Sequence, residues 1–331
     1  MTKHFLISAF LVAVLFGAMS TSFSIEVKKT YEKKFPMEAG GQLTVRGDEG
    51  FIKVTSWDKP EVHLVWTKRI WIQNGQQAEK LLDLVEVRIN QTGNRLNIKV
   101  VEPEHYRNFN FWDIFDPDTW GGHNFRSPVV DFELTVPREI DLSLTNDEGD
   151  VSVTSIEGDV AIEVDEGDIE LSDINFADLD LSVDEGNIHG INLAGEKGSI
   201  FIETDEGKID FEEVITNRLK AVCDEGDVTV KKWQGRFCDI ATDEGDIEMV
   251  VLWLKDSRLD FATDEGNISL SLPDSPNVRF DLLSNDGGIR SNFDIKIVKK
   301  HQVQECHDRL GDGSSLLKAF ADEGVITIKK Q

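Results

Sequence analysis

From residue 165 onward, hydrophobic and polar positions alternate in runs of two or three pairs, each run broken at an acidic corner. After Gly167, Ile169 and Leu171 alternate with Asp168 and Glu170. A polar break at 172–177 follows, and then Leu179, Leu181 and Val183 alternate with Asp180 and Ser182 before Asp184 opens the next corner. Alternation with period two marks a strand that buries one face. The same parity precedes the glycine in Ile200, Ile202 and Thr204, in Leu219, Ala221 and Cys223, and in Leu259, Phe261 and Thr263. It follows the glycine in Ile209 and Phe211, Val228 and Val230, Ile247 and Met249, and Ile268 and Leu270. Each unit reads as two short strands and two turns.

The corners repeat one phrase, Asp-Glu-Gly followed after one residue by an apolar side chain. It starts at 147, 165, 184, 205, 224, 243, 264, 285 (as Asn285-Asp286-Gly287) and 322, at intervals of 18, 19, 21, 19, 19, 21, 21 and 37. A period of about 19–21 residues predicts a stacked architecture in which each unit buries its apolar face against its neighbours. Two turns per unit bring equivalent strands back in parallel. The expected fold is therefore all-β, a parallel β-solenoid (β-helix) of two-stranded coils. One polar face per strand excludes a sheet covered by helices on both sides, and the connections are too short for crossover helices. Gly149, Gly167, Gly186, Gly207, Gly226, Gly245 and Gly266 are the structural turn residues, since a tight corner often needs positive φ. The Asp before each glycine is expected to bond its own backbone in an Asx-type turn. Weaker corners stand at the other end of some units, as in Glu157-Gly158-Asp159-Val160.

The ends of the chain read differently. Lys3 and His4 precede an apolar run from Phe5 to Met19 and then small residues at 20–24, the pattern of an export signal over residues 1–24. The run is short for a membrane span, and no Cys lies near the cleavage region to carry a lipid. Residues 25–140 form an expected β-rich N-terminal cap, since solenoids need covered ends. Within it lie an early Asp48-Glu49-Gly50 corner, strands at 61–66 and 85–100, and a short helix around Gln76 to Leu84. An aromatic-rich insertion at 102–127 is expected to fold over the stack as a cover. Residues 141–331 form the repeat region, and the 37-residue interval predicts a degenerate coil or a hairpin insertion near its end.

Charge narrows the partners. The formal net charge is -27, which argues against nucleic acid, whose binding needs a basic face. An anionic membrane surface is disfavoured for the same reason, so no direct membrane binding is expected after signal removal. In a stack, Glu148, Glu166, Glu185, Glu206, Glu225, Glu244 and Glu265 should align along one edge, with strands about 4.8 Å apart. Neighbouring unit charges at that spacing repel by about 0.9 kcal/mol at bulk-water dielectric. The row is the candidate acidic binding ladder. It would attract cations, calcium being one candidate because it prefers carboxylate oxygens, or a basic partner, or it is a solvated edge that deters aggregation; the Gly-Gly-x-Gly-x-Asp phrase of calcium-binding coils is absent. Lys208, in a position held elsewhere by Asp or Asn, argues against a uniform ion row. Cys223 and Cys238 read as small buried hydrophobes. Cys306, in a segment read as irregular beside His307 and near His301, is a weak metal candidate.

The Gly-Asp-hydrophobic corners Gly149-Asp150-Val151, Gly167-Asp168-Ile169, Gly226-Asp227-Val228 and Gly245-Asp246-Ile247 resemble those of a bacterial family of exported candidate adhesins, a domain of unknown function. Similar to that family, too, are Gly41-Gln42-Leu43-Thr44-Val45, Gly50-Phe51-Ile52-Lys53-Val54, Phe132-Glu133-Leu134-Thr135-Val136-Pro137 and the late Gly311-Asp312-Gly313. This chain departs from it by placing Glu where the family usually has Ser or Thr before the glycine. The resemblance implies a β-helix and an exported protein, periplasmic, secreted or on the cell surface. The expected function is a non-enzymatic envelope or surface module presenting a repetitive acidic face to a protein or polysaccharide. The alternative is a β-helix enzyme acting on an envelope or extracellular polysaccharide through a carboxylate pair. No Ser/His/Asp order, zinc motif or phosphate loop singles out catalytic residues.

Overall fold

The alternating runs become two parallel ladders in the computed structural model, which describes residues 25–72, 75–101 and 128–331. The segments that precede the corner glycines lie side by side in one ladder. These are Ile140–Glu148, Val160–Glu166, Asp178–Glu185, 199–206, 218–225, Phe237–Glu244 and Arg258–Glu265, each in register with the next. Those that follow the glycines form the second: Ile52–Trp57, Val151–Glu157, Ile169–Asn175, 188–195, Ile209–Phe211, Val228–Gln234, Ile247–Val251 and Ile268–Leu272. Each corner links a strand of the first ladder to one of the second, and one such pair is a tier. The fold is all-β with mostly parallel pairing.

The inward parity read from the sequence packs the interior. Ile169, Leu171, Leu181, Val183, Ile202, Ile209, Phe211, Ile247 and Leu270 are all at most 2% exposed. They belong to one apolar core that runs without a break from Phe35 to Ile328. Each such side chain contributes roughly 1.5–3 kcal/mol of burial, against a backbone ordering cost of similar size per residue. The helix Gly75–Leu82 lies outside this core and buries Ala78, Leu81 and Leu82 against Ile70 and Ile72. Its last turn is held by Lys68, whose Nζ donates to the carbonyls of Leu82 (3.1 Å) and Val85. Burial pushes the Lys68 ammonium below its usual range.

Both ends of the stack are folded in the same unexpected order. At the N-terminal end, the tier made of Gly41–Arg46 and Ile52–Trp57 does not lie outermost. It is clamped between Ile140–Glu148 and Val151–Glu157 on one side and Arg95–Val101 and Val129–Pro137 on the other. At the opposite end, Ser315–Lys330 slots between the 258–272 tier and Val278–Ser291. The 37-residue interval thus holds a hairpin, since Val298–Lys300 turns back onto Val303–Leu310, which also pairs antiparallel with 278–284, and a tier then added out of sequence. Antiparallel strands close the exposed edges. Glu86–Thr92 covers Arg95–Val101, and Glu61–Ile72 with Ile25–Pro36 covers Val129–Pro137. Cys306, read as lying in an irregular segment, is instead a core-facing residue of the strand Val303–Leu310, opposite Leu282. The export segment 1–24 and the aromatic insertion 102–127 lie outside the described residues.

Candidate functional site

The repeated corner is built around its glycines. Gly149, Gly167, Gly186, Gly207, Gly226, Gly245 and Gly266 all have positive φ, between 118° and 157°. The backbone ladder continues through them, for example from the Gly167 N–H to the Glu185 carbonyl at 2.9 Å and from the Gly226 N–H to the Glu244 carbonyl at 2.8 Å. A second constraint was not visible in the sequence. A Cβ built on Gly226 would overlap the carbonyl oxygen of Gly207, and one built on Gly207 would overlap that of Gly186. The glycines form a spine in which each tier rests on the peptide of the one before.

The spine carbonyls are also bonded from inside the core. Thr242 Oγ1 donates to the Gly226 carbonyl and Thr263 Oγ1 to the Gly245 carbonyl, both at 3.1 Å, and Ser284 Oγ donates to that of Gly324 at 3.0 Å. In these three tiers the buried hydroxyl at the last inward position before the corner has its partner, whereas that of Thr204, at the same position, has none. At 285–288 the phrase is shifted, and positive φ falls on Gly288.

Outside the spine runs a row of Asp and Asn side chains that differs from the expected Asx turn. The residues that bond the backbone follow the glycine, and they bond the neighbouring tier. Asp150 Oδ1 accepts from the Asp168 N–H (3.0 Å), Asp168 Oδ1 from the Asn187 N–H (2.8 Å), and Asn187 Oδ1 from the Lys208 N–H (3.0 Å). The row resumes with Asp227 to Asp246 at 3.1 Å and Asp246 to Asn267 at 2.7 Å. Lys208 interrupts it without breaking it, since its Nζ reaches Asp227 Oδ2 at 2.9 Å. That bond, and then the Asp246 amide, holds the Asp227 carboxyl below its usual range.

The seven predicted glutamates stand in neighbouring register positions from Glu148 to Glu265, all exposed. Because the terminal tiers are tucked inward, the row extends by residues far away in sequence: Glu49 beside Glu148, then Glu323 beside Glu265 and Asp286 beside Glu323. At the Glu148 end, Asp147 is pushed above its usual range, first by partial burial and then by the neighbouring Asp48. Chemically the edge is a line of acceptors suited to cations or to a basic partner. No cluster of three or more His, Cys, Asp or Glu placed to hold one metal ion occurs among the described residues. Cys306 and His307 point to opposite sides of their strand, and burial raises the Cys223 and Cys306 thiols to about 11 and that of Cys238 well above its ordinary value. Such thiols stay protonated and are poor nucleophiles or metal ligands.

Among solved structures, the chain is similar to a candidate adhesin from Bacteroides fragilis, with 15% identity over 91% of this chain and 97% of that one and a TM-score of 0.37. A candidate cell adhesion protein from Clostridium sporogenes has 11% identity over 91% and 100%, with a TM-score of 0.27. A candidate lipid-binding protein from Parabacteroides distasonis has 13% identity over 91% and 96%, with a TM-score of 0.32. No curated protein matches the sequence. The model of the Toastrack DUF4097 family matches residues 67–329, well over half of the sequence and nearly all of the ladders described above; the chain belongs to that family.

Proposed function

We propose that this is a non-enzymatic, exported protein of the cell envelope or surface. In this reading the two ladders are the walls of a flattened β-solenoid, and its acidic edge engages a basic envelope protein or a polysaccharide, with calcium as a bridging ion. The observation that carries it is the unbroken register of the glutamates. Like charges held at strand spacing cost stability, which favours a role in contact over a role in packing. No helix among the described residues is long and apolar enough to cross a membrane. The polysaccharide-cleaving alternative needs two carboxylates set apart from the rest, whereas the row carries its members as equals.

The test is capture from envelope extracts on the immobilised chain, compared with a variant carrying Gln at Glu166, Glu185, Glu206 and Glu225, with and without calcium. Retention of a defined partner by the wild type alone is expected. Equal retention by the variant, or the appearance of new reducing ends when the chain is incubated with envelope polysaccharide, would reject the proposal.

A further inference from the structure

A second surface carries the opposite charge. On the outward face of the pre-glycine ladder, near its far end, Arg258, Leu316, Arg279 and Arg309 occupy one row across four adjacent strands. Lys318 and His307 stand in the next row, and together these residues line an open depression of about 670 Å³. Arg279 and Arg309 are direct cross-strand partners on the same face. Their Cβ atoms are therefore about 4.5–5.5 Å apart, where two like charges are destabilising unless something lies between them.

Two carboxylates, Asp281 and Asp308, also line the depression, and each has a partner of its own. Asp260 holds Arg258 at 2.6 Å, and Asp281 faces His307 at 3.0 Å. Asp308 accepts the backbone N–H groups of Lys296 and Arg309, both at 2.8 Å, which hold its carboxyl below the usual range. Among the described residues, none forms an ion pair with Arg279, Arg309 or Lys318. In a chain of net charge -27, the depression gathers Arg258, Arg279, Arg309 and Lys318 against only two lining carboxylates, Asp281 and Asp308.

We propose that this depression binds a tetrahedral oxyanion, the phosphate or sulfate group of a larger ligand. Arg279 and Arg309 stand on adjacent strands, with Lys318 at the register position diagonal to Arg279. A phosphate or sulfate offers three or more acceptor oxygens to such a set, whereas a carboxylate offers two. Guanidinium geometry matches paired oxyanion oxygens bidentately. The bound anion also removes the Arg279–Arg309 repulsion. The site is independent of the acidic edge, so either assignment stands if the other fails.

The experiment titrates the full chain with sodium pyrophosphate by calorimetry and, separately, sediments it with phosphatidylcholine vesicles with and without phosphatidylglycerol. Saturable binding to at least one anionic probe is expected. Pyrophosphate alone identifies a soluble or glycan-borne group, and anionic vesicles alone identify a lipid headgroup. Arg279→Gln with Arg309→Gln should weaken binding about tenfold or more, as loss of two charge-assisted contacts implies, while Arg88→Gln with Arg95→Gln at the far end should leave it unchanged. Lys318→Gln supplies an independent variant should the arginine pair prove needed for folding. Absence of binding to both probes, or binding untouched by the site variants, overturns the proposal.

Discussion

The corner glycine is constrained twice, by positive φ and by the carbonyl of the tier beneath it. Gly226→Val should therefore cost at least about 3 kcal/mol, in the range of backbone strain combined with overpacking, whereas Glu225→Gln should stay within about 0.5 kcal/mol, as exposed substitutions do. Equal melting temperatures for the two variants would refute the spine. The conformational demand was legible from the recurring Gly. The steric one was not, because it arises between residues about twenty positions apart whose register only the folded ladders define. A titration argument applies to Asp147. Its carboxyl is raised in the folded state, so the fold binds more protons than the unfolded chain between the ordinary and the raised value. Stability contributed there is present in acid and lost as pH rises through that window. Asp147→Asn should thus raise stability at neutral pH, slightly because the site is hydrated, and flatten this part of the pH profile. A variant less stable at pH 7 would show that the carboxylate is favourably held.

Strands and their inward faces followed directly from alternation, because period two leaves a single assignment of sides. What alternation could not convey is how one strand attaches to the next. The Asp-Glu-Gly phrase drew attention to the Asp in front of the glycine, yet the bonds between tiers come from the residue behind it. Asp168 is the clearest case, accepting from both the backbone N–H and the Nδ2 of Asn187. Asp168→Ala should cost roughly 1–3 kcal/mol in denaturant unfolding, as hydrogen bonds to a charged group do, and Asp168→Asn should keep most of that. If Asp180→Ala, which alters an exposed carboxylate in the next tier with no such bond, costs as much, the inter-tier row is not a stabilising element. The post-glycine strands also carry a kink that alternation misses. Ser155, Asp173 and Asn192 adopt φ of 61°, 57° and 57° in three successive tiers, where two of the three are the residue types that tolerate the left-handed region best.

For the whole molecule the dominant quantity is charge. An aligned row of carboxylates should make stability respond to cations beyond simple screening. Millimolar calcium should raise the melting temperature more than sodium chloride of equal ionic strength, because neighbouring carboxylates can share a divalent ion and a ligand of the folded state stabilises it by mass action. Replacing Glu166, Glu185, Glu206 and Glu225 together by Gln should abolish the difference and raise stability in low salt. Identical responses to the two salts would mark the row as a solvated edge. The repeat and the membership of the acidic row were largely legible, but the order of the tiers was not. Glu49 and Glu323 join the row only because distant segments are threaded one place inward. That threading has a consequence for how the molecule is made and how it comes apart. Linear repeat arrays usually fray from their extremities, yet here the outermost tier leans on a segment that leaves the ribosome after it. Residues 278–291 have no parallel neighbour until 315–330 have emerged, so synthesis cannot simply add layers in order. A nascent chain halted at residue 314 would hold 278–284 only through the antiparallel hairpin with 304–310, and hydrogen exchange should find 285–291 unprotected although every one of those residues has already been made.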